Sequence, residues 1–299
     1  MVIEVNGITK RYGNLTALDD FSLTAGKGEV IGIIGPNGAG KTTFFNVLLS
    51  IVKPTSGSFS IFGQESVAKV RDKIGVSLED YGFYPFLSGW DNLRIAANVK
   101  GIDRKSMSEV LKLVMLHEKR DVPVKKYSFG MVKRLSIACA LLGDPDLLIL
   151  DEPTNGLDPV GIRQIGNLVK EQAQAGKTVV IANHLLGEIE KVCHRVILLR
   201  EGKIVKRMDK STLGEERCFE LYSDNVAELI VALGSFPKLS ILDSTVDNVV
   251  IQPEDARGIA TLIEELSTQG ILISNSKERK ITLEDIFHAS VTNPKQAAS

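Results

Sequence analysis

Nine consecutive residues near the N-terminus combine glycines, a lysine and two threonines in an order suited to binding phosphate. They are Gly35, Pro36, Asn37, Gly38, Ala39, Gly40, Lys41, Thr42 and Thr43, and they fit the pattern G-x-x-x-x-G-K-[ST]. The glycines let the backbone curl so that successive N–H groups point at phosphate oxygens. Lys41 supplies a positive charge for the β- and γ-phosphates, and Thr42 supplies a hydroxyl for Mg²⁺. No partner for the lysine charge within the protein is evident from the sequence, so we expect it to act on the ligand alone.

The residues on either side of this loop supply the expected context. Val30–Ile34 is a short apolar, β-branched run that predicts a buried strand, and residues 43–49 place apolar side chains at helical spacing. A chance glycine-rich turn is the alternative. The pattern occurs in about one in a hundred random chains of this length at average composition. The flanking strand and helix make that alternative rarer still.

Two adjacent carboxylates form the second group with chemical potential. Asp151 and Glu152 follow the apolar run 147–150, which predicts a strand that delivers them to the edge of a sheet where open α/β folds bind ligands. Asp151 is suited to hold Mg²⁺, directly or through water. Glu152 is suited to polarise a water against a γ-phosphate. The alternative is a pair of surface acids after a core strand.

Taken together, these motifs resemble those of the ATP-binding subunits of ABC transporters. Four further segments match that family in the expected order: Tyr127–Met131 resembles the signature motif LSGGQ, Gly156–Asp158 the D-loop, His184 the switch histidine and Tyr12 the adenine-stacking aromatic. The resemblance covers about residues 2–215. Residues 283–287 resemble the tail of bacitracin- and drug-export-type subunits.

The resemblance implies roles for these residues. Ser128 and Gly130 would face the γ-phosphate bound by a second subunit, as a helix dipole favours, although Ser128 alone could simply cap a helix. His184 would reach the γ-phosphate and act with Glu152 in catalysis. Glu79 stands where the family has its Q-loop glutamine and joins Thr42 and Asp151 as a candidate metal ligand.

Two further residues depart from the family pattern. Met131 stands where the signature motif usually has glutamine, and Phe129 replaces the first glycine of that motif. These departures concern the contacts of the signature segment and not the phosphate loop.

The alternation of predicted strands and helices favours an α/β fold with a mainly parallel sheet. We expect a P-loop NTPase core of the ABC type at residues 1–215, with a helical subdomain at about 85–142. In this core, residues 9–14 are predicted as a turn-rich segment and 135–142 as a helix. Residues 216–299 are expected to form a small α/β domain. Its predicted order βαββαβ, ending in a strand at 271–274, suits a ferredoxin-like fold.

Net charge, cysteine content and hydropathy limit the kinds of partner that the sequence predicts. The formal net charge is −1, which offers no electrostatic case for nucleic acid. Three scattered cysteines indicate neither a disulfide framework nor a zinc site. No signal peptide and no run of 18 apolar residues is evident, so we expect work at a membrane to require docking on another protein.

The function implied by the resemblance is an Mg²⁺-dependent ATPase that powers a transporter. The expected partners are an integral membrane permease and a second ATPase subunit. We expect a homodimer at the cytoplasmic face of the cell membrane, and the resemblance favours export over import. Two alternatives stay open: an ABC ATPase that acts on ribosomes or DNA, and a regulatory module that holds ATP without turnover. We expect the permease to dock around residues 79–90, where five aromatic residues fall within a dozen positions.

Overall fold

In the computed structural model the chain divides into two units, Met1–Arg207 and Met208–Ser299. The structure describes residues 1–78, 82–183, 187, 191–209, 216–236, 239–253 and 258–292, without the side chains of 290–292. No helix within these ranges is both long and apolar enough to cross a membrane.

The first unit is built from nine strands and five helices among the described residues. The strands are β1 (Ile3–Tyr12), β2 (Leu15–Ala25), β3 (Val30–Ile34), β4 (Ser56–Ile61), β5 (Ile74–Ser77), β6 (Leu147–Asp151), β7 (Thr178–Ala182), β8 (Arg195–Arg200) and β9 (Lys203–Asp209). The helices are α1 (Lys41–Leu48), α2 (Gly89–Lys100), α3 (Arg104–Leu113), α4 (Phe129–Leu141) and α5 (Pro159–Gln174).

A six-stranded sheet in the order β5-β6-β7-β3-β8-β9 forms the centre of this unit. The pairs from β5 to β8 are parallel, and on β3 Gly32 aligns with Ile181 on one side and Val196 on the other. Every residue of β3, β6 and β7 is buried, as expected for a parallel sheet covered on both faces. The segments that follow β3 and β6 therefore leave the sheet at the same edge.

An antiparallel sheet in the order β2-β1-β4 packs its apolar face into the same core. Phe21 of β2 meets Phe44 of α1 with ring centroids 4.4 Å apart. The prediction of a turn-rich segment at 9–14 is wrong for most of that range, because β1 continues to Tyr12 and only Gly13 and Asn14 turn. Pairing with β2, in which Tyr12 aligns with Leu15, supplies the hydrogen bonds that keep these polar residues extended.

The helical segment begins as predicted, and each of its helices starts at a polar cap. Ser88, Asp103 and Ser128 accept hydrogen bonds from backbone N–H groups three residues ahead, at the starts of α2, α3 and α4. The prediction that the last of these helices starts at Leu135 is wrong, since α4 begins at Phe129, directly after its cap. The capping serine outweighs the glycine at position 130, which disfavours a helix.

The second unit has the predicted βαββαβ order, followed by one more helix. Its elements are β10 (Arg217–Tyr222), α6 (Val226–Leu233), β11 (Leu239–Ser244), β12 (Asn248–Pro253), α7 (Ile259–Thr268), β13 (Asn275–Lys280) and α8 (Leu283–Thr292). The antiparallel sheet has the order β11-β12-β10-β13. Helices α6 and α7 pack on one face with Phe219 and Leu221, and α8 packs on the other face with Cys218 and Val250.

The strand predicted at 271–274 is wrong, because the last strand lies just beyond it at Asn275–Lys280. Ile271 is buried and packs in the core beneath α6 and α7, so its apolar character reflects burial in a connection and not a strand. All six residues of the actual strand are polar. This fits its place at the edge of the sheet, where among the described residues it pairs only with β10.

A partly buried ion-pair network joins this edge strand to α8. Arg279 donates two parallel hydrogen bonds to Asp285, of 2.6 and 2.7 Å, and a third, of 2.5 Å, to Glu220 on β10. The backbone N–H of Thr282 also donates to Asp285, at 2.8 Å. Burial opposes ionisation of Asp285, but the bonds from Arg279 and Thr282 outweigh it and hold the pKa of this carboxyl below its ordinary value.

We predict that Asp285→Asn destabilises the second unit by about 2–3 kcal/mol at pH 7, because it leaves Arg279 without its main charge partner. Since the pKa of Asp285 is lower in the folded state, the contribution is complete above the unfolded pKa of about 4. It disappears as the pH falls through the folded pKa. Calorimetric melting of the wild type and the variant should therefore differ at pH 7 and converge in acid. Glu284→Gln, which removes an exposed charge from the neighbouring position, is the control; an equal effect of both changes would contradict the prediction.

Candidate nucleotide site

An open cleft of about 1190 Å³ lies where the segments after β3 and β6 leave the central sheet. Its lining brings together the predicted phosphate loop, both predicted carboxylates and the predicted stacking aromatic. The lining residues are Tyr12, Leu15, Thr16, Ala17, Asn37, Gly38, Ala39, Gly40, Lys41, Thr42, Thr43, Asp151, Glu152, Asn155 and Glu201. The sequence motifs, which are up to 140 positions apart, therefore converge on one site.

Two glycines allow the phosphate loop to pass close to neighbouring backbone. A methyl group added at Gly35 would lie 2.3 Å from the carbonyl oxygen of Leu199. At Gly40 the φ angle is 109°, and an added methyl group would lie 2.5 Å from the carbonyl oxygen of Ala17. Neither position accepts a side chain, so the loop keeps this path only with glycine.

The first turn of α1 is left open to a ligand. The helix begins at Lys41 after Gly40, which offers no side-chain oxygen to cap the first N–H groups. Uncapped N–H groups at a helix N-terminus bind anions through hydrogen bonds and the helix dipole. The site is thus suited to the phosphates of a nucleotide.

Lys41 has partners within the protein, so the expectation that its charge has none is wrong. Its side chain is buried, and Nζ donates to the carbonyl oxygens of Gly35 at 2.6 Å and Pro36 at 3.3 Å. The same nitrogen lies 3.9 Å from Oε1 of Glu152. The lysine therefore holds the loop in shape and sits between the loop and a carboxylate.

The hydroxyl and the carboxylate predicted to bind Mg²⁺ lie side by side. Oγ1 of Thr42 donates to Oδ2 of Asp151 at 3.4 Å, and Asp151 is buried at the end of β6. Oxygen donors of this kind fit Mg²⁺, which usually takes one or two protein ligands and fills its other positions with phosphate oxygens and water. Within the described ranges, no cluster of three or more His, Cys, Asp or Glu residues is suited to a metal. Glu79, the third predicted ligand, lies outside the described residues.

Glu152 occupies a backbone conformation that is rare for a side-chain-bearing residue. Its φ angle is 48°, in the left-handed region, and its N–H donates to the carbonyl oxygen of Ala182 at 2.9 Å. Such a conformation costs about 1–3 kcal/mol, and residues that adopt it cluster at active sites. Two positions on, Thr154 accepts a hydrogen bond of 2.5 Å from the side chain of Asn183. His184, which follows Asn183, lies outside the described residues.

Tyr12 lies at the end of β1 on the rim of the cleft. Its side chain is exposed, and Nζ of Lys10 lies 4.8 Å from the ring centroid. An aromatic ring on the rim of a phosphate-binding cleft is suitably placed to stack with a base.

Ser128 and Gly130 do not line the cleft. Ser128 is exposed and caps α4 by accepting a hydrogen bond of 3.3 Å from the N–H of Met131. The ring of Phe129 lies against Gly156, where an added methyl group would come within 2.2 Å of Cδ1. The signature-like segment thus packs on the D-loop-like segment of its own chain and leaves its helix start exposed.

Lys133 contacts the carboxylate turn, although no sequence motif indicates it. It is fully buried, and its Nζ donates to the backbone carbonyl of Asp151 at 3.3 Å. This lysine links α4 to the turn that carries the two carboxylates. Its spacing in the sequence could have indicated burial. Ile137 and Ala140, four and seven residues later, lie on the same face of the helix and are both buried. Lys133 therefore lies on the core-facing side of α4, where an unpaired cation is costly.

Comparison with known proteins points to one family. The sequence family described as "ABC transporter" matches residues 18–155. The chain is 34% identical over 296 residues to the bacitracin transport ATP-binding protein BcrA of Enterococcus faecalis, covering 96% of this chain and 95% of that protein. It is 31% identical to the Nod factor export ATP-binding protein I of Sinorhizobium fredii, covering 96% of this chain and 85% of that protein.

Solved structures agree on the fold of the first unit. The dimeric structure of the ATP-binding cassette MJ0796 in a post-hydrolysis state bound to ADP and Pi matches with a TM-score of 0.64 and 27% identity. This match covers 70% of the chain and 98% of the cassette. The predicted fold class, an ABC-type P-loop core with an additional C-terminal α/β unit, is confirmed.

We predict that Lys41→Ala weakens ATP binding at least about 100-fold, because it removes a buried charge beside the phosphate site. Loss of the bonds to Gly35 and Pro36 should also loosen the loop, so a small fall in melting temperature is expected. Calorimetric titration with ATP measures the affinity. Lys170→Ala, at an exposed position of α5, is the control. Unchanged affinity of the Lys41 variant would contradict the assignment.

Proposed function

Because the chain belongs to the family of ABC transporter ATP-binding subunits, we propose that it hydrolyses MgATP to power export through a membrane permease. One observation carries the proposal: the uncapped start of α1, Lys41, the pair Thr42–Asp151 and Glu152 all face a single cleft. This set provides what phosphoryl transfer to water requires, namely charge stabilisation, a place for the metal and a base.

Each group of residues in the cleft has a separate role in hydrolysis. The N–H groups of the loop and Lys41 hold the β- and γ-phosphates and stabilise the charge of the transition state. Thr42 and Asp151 would hold Mg²⁺, which neutralises phosphate charge when bound. Glu152 orients a water molecule and takes its proton as the water oxygen bonds to the γ-phosphorus and the bond to the ADP oxygen breaks. His184 is proposed to contact the γ-phosphate.

We propose that two interactions fix the backbone position of the turn that carries Asp151 and Glu152. The strained φ angle of Glu152 and the hydrogen bond from Lys133 to Asp151 both act on this turn. A carboxylate must lie within hydrogen-bond reach of the attacking water to act as a base, so small displacements of the turn reduce the rate. Lys133 serves as a positioning residue in this scheme.

The nucleotide site is proposed to be shared between two copies of the chain. The cleft is open, while Ser128 and Gly130 lie outside it at an exposed helix start. In a two-fold dimer each chain would place this helix start against the γ-phosphate in its partner's cleft. The matched cassette MJ0796, whose structure is described as dimeric, supports this arrangement.

Export and a membrane partner are supported by the relatives. Their names specify bacitracin transport and Nod factor export. We propose that the chain acts at the cytoplasmic face of the cell membrane, bound to an integral membrane permease.

The permease is proposed to dock at a groove beside the helical segment. A groove of about 330 Å³ lies between β5, α2 and α4, and Val76, Tyr84 and Ile95 are among its apolar lining residues. This groove adjoins the segment 79–90 in which the sequence predicts docking; residues 79–81 of that segment lie outside the described residues.

We predict that Glu152→Gln lowers kcat for ATP hydrolysis by about 10²–10⁴ while ATP binding persists, because the amide keeps the shape and loses the base. The variant should accumulate as an ATP-bound dimer in size-exclusion chromatography with MgATP. Glu171→Gln, at an exposed position of α5, serves as the matched control. A variant that hydrolyses ATP at the wild-type rate would show that Glu152 is not the base.

We predict that Ser128→Arg abolishes turnover and that mixing it with Lys41→Ala restores part of it. In the mixed dimer both changes fall on one shared site and leave the other intact. Random pairing should then give about a quarter of the wild-type rate if the two sites act independently. A chain that carries both changes, mixed with Lys41→Ala, should stay inactive. The absence of any recovery, with mixed dimers detected by native mass spectrometry, would contradict two independent shared sites.

A further inference from the structure

Two segments of the helical region run side by side and form an exposed ledge, defined here as residues 84–90 and 119–127. Backbone hydrogen bonds join them: Val124 to Leu87 at 2.9 Å, Lys125 to Pro85 at 2.8 Å, Gly89 to Val122 at 3.2 Å and Trp90 to Arg120 at 2.8 Å. The ledge is therefore held by a ladder of bonds along its length.

The buried side chain of Asn92 fixes one end of this ledge. It accepts a hydrogen bond from the N–H of Tyr84 at 2.8 Å and donates to the carbonyl oxygen of Tyr84 at 3.0 Å. Asn92 also lines the docking groove, as does Tyr84. The ledge is thus continuous with the groove and rigidly attached to it.

Two aromatic rings on the ledge are exposed to solvent, and two lie beside a cationic side chain. Phe86 is 77% exposed and Tyr84 is 59% exposed. Nζ of Lys125 lies 4.9 Å from the ring centroid of Phe86, and the guanidinium of Arg120 lies 5.7 Å from that of Trp90. Exposed aromatic side chains fixed on a rigid surface are typical of a protein interface.

The charges of the ledge are unbalanced although the whole chain carries a formal charge of −1. The residues of the ledge include four cations and one carboxylate, Asp121. Arg120 pairs with Asp121 at 3.4 Å. In the part of the chain that the structure describes, Lys119, Lys125 and Lys126 form no ion pair. An apolar surface beside unpaired lysines is complementary to a segment that presents both apolar groups and carboxylates.

We propose that the ledge binds an acidic segment of the permease, whose apolar side covers Tyr84 and Phe86 and whose carboxylates pair with Lys125 and Lys126. This inference rests on the proposed function and adds the chemistry of the partner. An ion pair formed beside Phe86 would be shielded from water by the ring and the apolar segment, which strengthens it relative to an exposed pair. The ledge is less suited to anionic lipid, since lipid-binding clusters usually contain four to eight neighbouring cations. Its four cations instead form two separate pairs, Lys119–Arg120 and Lys125–Lys126, and Arg120 already pairs with Asp121.

The test compares two charge reversals in the full-length chain. One variant carries Lys125→Glu and Lys126→Glu on the ledge. The matched control carries Lys105→Glu and Lys112→Glu, which make the same charge change at exposed positions of α3. Each purified protein is titrated onto membranes of the native cell from which peripheral proteins have been stripped, and onto protein-free vesicles that contain phosphatidylglycerol. Calorimetric melting confirms that each variant is folded, and Lys125→Gln with Lys126→Gln provides a milder second variant.

We expect the wild type and the α3 control to rebind to the stripped membranes, and the ledge reversal to bind at least about 10-fold more weakly. The glutamine variant should lie between them, and added salt should reduce the difference between wild type and reversal. Equal binding of the ledge reversal and the wild type would overturn the inference and leave the proposed function standing. Equally strong binding of the wild type to the protein-free vesicles would overturn it in favour of a lipid surface. Failure of the wild type to bind native membranes at all would overturn both the inference and the membrane role.

Discussion

The close approach of the phosphate loop to its neighbours is the constraint on which the rest of the first unit depends. With no side chain at Gly35 or Gly40, the loop passes within contact distance of the carbonyl oxygens of Leu199 and Ala17. This path ends at a helix whose N-cap residue, Gly40, makes no side-chain cap hydrogen bond. The buried parallel strands fix β8 and β3 relative to each other, so the loop has one available position. The ligand site is therefore a consequence of backbone packing, and its side chains are added to a frame that is already set.

The sequence determined the parts of the fold that depend on local pattern. Continuous apolar runs predicted β3, β6 and β7 because both faces of a parallel sheet are covered, and the glycine–lysine spacing predicted the loop between β3 and α1. Polar strands escaped prediction. The end of β1 and all of β13 are extended because a neighbouring strand supplies their hydrogen bonds, and no pattern within the strands themselves records that neighbour.

The same distinction applies to the site. Residue types identified the carboxylates and the loop, but the contacts of Lys41 with Gly35 and Pro36 depend on how the loop folds back on itself. Lys133 approaches Asp151 from a different element, eighteen positions away in sequence. Such contacts arise from the packing of α4 on the sheet. Local patterns in a single sequence do not predict which residues this packing brings together. Through the bond from Lys133, the helix capped by Ser128 is connected to the turn that carries the carboxylates.

The left-handed backbone at Glu152 has an evolutionary consequence. Glycine adopts this conformation without strain, so replacing the glutamate by glycine would relieve the backbone at the same step that removes the base. A change from glutamate to glycine at this position would therefore give an inactive chain with a less strained backbone. Persistence of the glutamate in a lineage would therefore indicate selection on its carboxylate, because the backbone conformation alone favours glycine.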